Sequence, residues 1–169
     1  MPKDETAAFD WFFKSTKQGN AAAQFTVGDN FYNGNCKGVP KDEAAAFDWL
    51  LKSAEQDNAV AQNNLGECFF KGQGVAKDDA VACLWYRKSA EQDNAEAQFI
   101  LGRCFLAGGG VDKDEAVGCE WLRKSALNHS CKRGGTCNCF SDQGETDERF
   151  DMYTINECVR YTNQYILPA

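Results

Sequence analysis

The chain has 169 residues, 43% of them hydrophobic, 12% aromatic and 25% charged, a globular balance that can build a hydrophobic core without a disulfide scaffold. Eighteen Lys and Arg against twenty-five Asp and Glu give a net charge of −7, which argues against nucleic-acid partners, because neutralising phosphates requires clustered cations. The longest apolar runs fall well short of eighteen residues, so no membrane insertion is expected, and the single histidine, His129, excludes any mechanism that needs two.

The opening Met1-Pro2-Lys3-Asp4-Glu5 is charged and lacks the apolar region of a secretory signal, so the expected location is cytoplasmic, with an exported fragment as the alternative. A helix is expected from Lys3, closing at Gln18-Gly19. Asn20 then has the character of an N-cap, its side chain accepting from the orphan amides of the next helix. That helix runs to about Tyr32 and stops in a glycine-containing loop, where positive φ is cheap. A further helix opens near Asp42, whose charge suits a helix N-terminus, and closes at Gln56-Asp57. The text then repeats. Asn58 caps a helix to about Phe70, Gly72-Gln73-Gly74 ends it, and Asp78 opens the next, which closes at Gln92-Asp93. Asn94, Leu106 and Asp114 return in the same roles.

Trp11, Trp49, Trp85 and Trp121 are separated by 38, 36 and 36 residues, and whole phrases such as Lys52-Ser53-Ala54-Glu55-Gln56-Asp57-Asn58-Ala59 recur with them. Repeats of this length indicate stacked helical hairpins, each with more apolar surface than it can bury alone. Small residues fall where paired helices touch: Gly28, Gly66 and Gly102 on the first helices, Ala46, Ala82 and Gly118 on the second. Leu65, Phe69, Trp85, Leu101, Phe105 and Trp121 are read as the large core residues. The tryptophans are thus assigned to the core and not to a cofactor site, and no cofactor is expected.

With these phrases the chain resembles the Sel1-like repeat family, relatives of the tetratricopeptide repeat. The match is carried by Ala59-x-x-Gln62-x-x-Leu65-Gly66, Gly72-x-Gly74-Val75-x-Lys77-Asp78 and Ala82-x-x-Trp85-Tyr86-x-Lys88, and it covers about residues 3–128. The resemblance implies an all-α fold, a right-handed α/α superhelix of about three and a half hairpins over 1–128, used as an adaptor or scaffold in protein complexes. Inward-facing positions transferred from the tetratricopeptide pattern are Phe25, Asp29, Tyr32 and Asn33, then Asn63, Glu67, Phe70 and Lys71, then Phe99, Arg103 and Leu106. They differ between copies while the core positions agree, as expected of a face that reads a protein or peptide ligand, although surface drift gives the same pattern. Partial cover of Phe25, Phe70 and Phe99 by neighbouring repeats is the alternative. Oligomeric state is left open.

A cysteine-rich branch of the family carries a disulfide between helices, at positions occupied here by Ala54 with Gln62 and Ala90 with Gln98; that staple is absent. Cys68 with Cys83, and Cys104 with Cys119, are out of register for a bridge and are expected to be buried thiols. Nine cysteines nevertheless make thiol-redox chemistry the enzymatic alternative, together with the β-lactamase-like hydrolysis linked to that branch. The chain has no Cys-x-x-Cys, Ser-x-x-Lys or Gly-x-Ser-x-Gly motif to support either, and no catalytic residue is assigned. After Asn128 the repeat breaks. Residues 129–144 form a Cys-rich segment in which His129, Cys131, Cys137 and Cys139 could surround zinc, although their spacing matches no established zinc motif. Residues 145–169 hold a helix and tail expected to cap the array.

Overall fold

The computed structural model describes residues 13–34 and 40–133, and every regular element among them is helical. Residues 13–16 are helical and run into a turn at 17–19. Six helices follow among the described residues: α1 (Ala21–Asn33), α2 (Glu43–Ala54), α3 (Ala59–Lys71), α4 (Asp79–Glu91), α5 (Ala95–Ala107) and α6 (Glu115–Arg133). The chain divides into two compact units, residues 1–89 and 90–169. The all-α class is as expected. Helix α6 continues to Arg133, so the first five residues of the segment read as a Cys-rich loop extend the helix. The capping helix expected over 145–166 lies outside the described residues.

The boundaries are chemical. Asn20, Asn58 and Asn94 accept from the amides of Ala23, Ala61 and Ala97 at 3.0–3.1 Å. Asp42 and Asp78 cap α2 and α4 by accepting from Ala45 and Val81, both at 3.0 Å, and Asp114 caps α6 through Val117 at 3.0 Å. The residue before each asparagine cap has positive φ: Gly19 at 76°, Asp57 and Asp93 at 60°. Aspartate tolerates that geometry better than most residues, and the carboxylates of Asp57 and Asp93 each accept from a glutamine amide, Gln62 and Gln98, at 3.4 Å.

The paired helices meet at the glycines. A Cβ on Gly28 would lie 3.1 Å from Leu50 Cγ, on Gly66 2.8 Å from Tyr86 Cε1, and on Gly102 2.8 Å from Leu122 Cγ and 2.9 Å from the Gly118 carbonyl. The missing side chain therefore makes the slot for Leu50, Tyr86 and Leu122, which are 0%, 1% and 2% exposed. This refines the assignment of the tryptophans to the core, with Trp11 lying outside the described residues. Trp49, Trp85 and Trp121 are only half-buried, because successive residues on a helix point about 100° apart and the residue after each tryptophan takes the deep position. Trp85 flanks the cluster of Leu50, Ala54, Ala61, Leu65 and Cys68. The ring faces of the three tryptophans carry the ammonium groups of Lys52, Lys88 and Lys124 at 4.4, 4.2 and 4.5 Å from their centroids.

A polar ladder accompanies this apolar contact. The hydroxyls of Ser53, Ser89 and Ser125 donate to the carbonyls of Ala21, Ala59 and Ala95 at 2.6–2.7 Å, tying the last turns of α2 and α4, and the middle of α6, to the start of each partner helix. Buried Gln62 and Gln98 donate through Nε2 to the carbonyls of Ala54 and Ala90 at 3.2 and 3.0 Å, satisfying acceptors that helix ends leave open. In the second unit Gln98 Oε1 also accepts from Asn128 Nδ2 at 2.8 Å. In the first, Gly74 (φ 71°) lies so close to the start of α2 that a Cβ there would sit 2.1 Å from the Glu43 carbonyl oxygen, so only glycine fits.

Two substitutions test this account. Gly102→Ala should cost about 1–3 kcal/mol through overpacking against backbone that cannot yield, lowering Tm by at least about 2 °C. Gly109→Ala, whose Cβ would meet nothing within 4 Å, should leave the thermal unfolding curve unchanged.

Candidate functional site

The candidate positions fall on first helices at helical spacing: Phe25, Asp29, Tyr32 and Asn33 on α1, Asn63, Glu67, Phe70 and Lys71 on α3, Phe99, Arg103 and Leu106 on α5. Residues four and seven apart share a helix face, so each set forms one stripe. The capped N-termini set the rotational phase, and the glycine contacts, three or four residues from stripe positions such as Phe25 and Tyr32, hold the adjoining face of each helix against its partner.

In the first unit the two stripes meet at their C-terminal ends. The Tyr32 hydroxyl donates to Gln73 Oε1 at 2.5 Å, with the Glu67 carboxylate beside it. Burial first, and then that carboxylate, push the phenol well above its ordinary range. Glu67 in turn pairs with Lys71. Phe70 is 46% exposed, with the Lys77 ammonium 5.2 Å from its ring centroid. Asn33 Nδ2 donates to Asp29 Oδ1 at 2.9 Å, and burial raises the Asp29 carboxyl above its usual 3.8.

The stripe is not uniformly presented to solvent. Phe25 and Tyr32 are half-buried against the Leu50–Cys68 cluster. Asn63 is only 3% exposed, and its Oδ1 has no hydrogen-bond partner. In the second unit Phe99 and Leu106 flank the buried pair Cys119 and Leu122, and the Arg103 guanidinium lies 5.9 Å from the Phe99 ring centroid. Sequence reasoning missed Gln73 and Lys77. Both belong to loops read as punctuation, and only the fold brings them beside Tyr32 and Phe70.

The four cysteines described, Cys68, Cys83, Cys104 and Cys119, are reduced thiols and all are buried. Burial first, then Glu67 and Glu43, push the Cys68 thiol up to about 12, the reverse of what a reactive thiolate requires. Among the described residues, no group of three or more His, Cys, Asp or Glu is placed to hold a metal ion. The candidate zinc set His129, Cys131, Cys137 and Cys139 lies outside the residues whose side chains are described.

Two titrations follow. These four thiols should stay unmodified by a disulfide reagent at pH 8 in the native protein and react once it is denatured. An acid whose pKa is raised on folding lends stability below its unfolded pKa and loses it as pH climbs through the folded value. Asp29→Asn should therefore unfold at a higher temperature than the parent at pH 7, the gap closing as pH falls towards 3.8; a gap that persists in acid would refute burial as its cause.

The comparisons with known proteins agree with the fold. The family described as Sel1 repeat matches residues 1–20, 21–58, 59–94 and 95–130, so its units begin at the first residues of α1, α3 and α5. A protective antigen of uropathogenic Escherichia coli displaying an SLR fold is 38% identical, with a TM-score of 0.71 over 74% of this chain and 26% of that one. A Sel1 repeat protein from Oxalobacter formigenes is 36% identical, with a TM-score of 0.65 over 73% of this chain and 52% of its own. The Helicobacter pylori cysteine rich protein B, 21% identical with a TM-score of 0.58 over 75% of this chain and 89% of that one, shares the fold. The chain thus spans about a quarter and a half of the length of the first two. No curated protein matches it. With four matched repeats over more than half its length, the chain belongs to the Sel1 repeat family.

Proposed function

We propose that the chain is a non-enzymatic interaction module that binds a protein or peptide segment along the exposed stripes of its first helices. Sel1 repeats generally mediate contacts between proteins, which supports the reading at the level of the family. The observation that carries it here is a contrast within those helices. Positions that hold the hairpins together recur from copy to copy, as in Gly28, Gly66 and Gly102 or Gln24, Gln62 and Gln98. The stripe does not recur: Asp29, Glu67 and Arg103 occupy one repeat position, and Tyr32, Phe70 and Leu106 another. A constant frame with changing charge and shape on one face suits recognition, and Phe70 supplies the exposed aromatic that interfaces use as an anchor.

The Arg103→Glu, Phe70→Ala double variant tests this. It should abolish capture of a partner that the parent retains, as read by affinity purification with mass spectrometry, while Tm shifts little. Loss of folding would show the two residues to be structural, and undiminished capture would remove the stripe as the binding face.

A further inference from the structure

The stripe in the first unit holds hydrogen-bond acceptors that the fold leaves unused. Asp29 has a single polar partner among the described residues, the Asn33 amide, although a carboxylate can accept about four hydrogen bonds. Asn63 Oδ1 is buried with none. The cation on the stripe, Lys71, is engaged by Glu67, so Asp29 and Glu67 against Lys71 leave this surface one negative charge in excess. Lys77, beside Phe70, faces Asp79 at 3.4 Å.

Neither unused acceptor serves the fold. A buried polar atom without a partner costs free energy, and the repeat does not need asparagine at residue 63, because Phe25 and Phe99 occupy the same repeat position in the flanking copies. Residues that cost stability without a structural return mark functional positions. Asn63, Glu67 and Phe70 follow one another on a single face of α3, and Tyr32 joins that face to the stripe carrying Asp29. The broad χ2 torsion of asparagine lets its amide turn the oxygen outward to an arriving donor.

Resting on the reading of this face as the binding surface, we infer that the segment it takes is a basic peptide. Its lysine or arginine is held by Asp29, a main-chain N–H is accepted by Asn63, and an apolar neighbour packs on Phe70. The net charge of −7 steers such a ligand toward the protein and repels acidic competitors.

The test is a fluorescence-polarisation titration of the full chain with three labelled hexapeptide amides: alternating leucine and lysine, the same with every lysine Nε-acetylated, and alternating leucine and glutamate. The lysine peptide should bind at least about tenfold more tightly than the other two. Asp29→Asn and Asn63→Leu should each weaken it, by about fivefold for a lost charge-assisted or buried hydrogen bond, and Asn63→Leu should unfold at or above the parent's Tm. Asp48→Asn, at an exposed position on α2, should leave the affinity unchanged and so separate the site from general attraction to an acidic protein. Equal loss in Asp48→Asn, or none in Asp29→Asn and Asn63→Leu, would overturn the inference. Tighter binding of the glutamate peptide, lost in Phe70→Ala, would keep the face and overturn only the chemistry assigned to it. If no probe responds to any stripe substitution, Phe70→Ala included, the binding face falls and this inference with it.

Discussion

Within each hairpin, everything depends on how closely two helices can lie. A glycine at one position of the first helix removes a side chain that would meet the second helix at about 3 Å, and a large residue of that second helix closes the gap. Leu50, Tyr86 and Leu122 differ in shape, yet all three are almost wholly buried over Gly28, Gly66 and Gly102. The frame tolerates either aliphatic or aromatic fillers because their common requirement is the absence of a Cβ opposite. The same approach brings Ala82 and Gly118 up to the glycines, where a larger side chain would separate the backbones.

Close packing of backbones creates a second obligation, since helix ends carry amides and carbonyls that water can no longer reach. The repeat meets it with four kinds of polar residue at fixed places. Asparagines and aspartates close the N-terminal ends, serines reach from the second helix to the first carbonyls of its partner, and glutamines reach forward across the junction. Against that economy, the unsatisfied oxygen of Asn63 stands apart. Among the described residues the buried glutamines and serines at repeated positions all have work within the hairpin. Asn63 Oδ1, like Asp79 Oδ1 and Arg123 Nε, has no hydrogen-bond partner, and it sits where the neighbouring copies have phenylalanine.

Much of this was legible in the sequence because repetition multiplies each local signal. The capping asparagines, the aspartates opening second helices and the glycine contacts could all be read from residue type and spacing, and the structure places them as read. The depth of the tryptophans could not. Trp85 and Tyr86 are adjacent and both large, and which of them fills the slot over Gly66 depends on the rotational phase of α4, about which composition is silent. The half-buried ring then becomes a platform for the lysine three residues on, a pairing that i,i+3 spacing permitted but did not require. The stripe was legible as a set of positions and not as an environment: nothing in the text distinguishes an exposed Phe70 from a buried Asn63, since their exposure is decided by side chains distant in sequence.

The glutamine junctions have a consequence for how such an array can change in length. Gln62 with Ala54, and Gln98 with Ala90, occupy the places where the resemblance read from the sequence implies a covalent cross-link in the cysteine-rich branch of the family. Here the same two backbones are joined by an amide and a carbonyl. A covalent array has to find the correct partner for each sulfur, and the number of wrong pairings multiplies with every copy added. A junction made of groups that only their immediate neighbours can satisfy carries no such combinatorial burden. Duplication of one hairpin therefore brings its own closure with it, and lineages built this way can lengthen or shorten without an oxidative proofreading step.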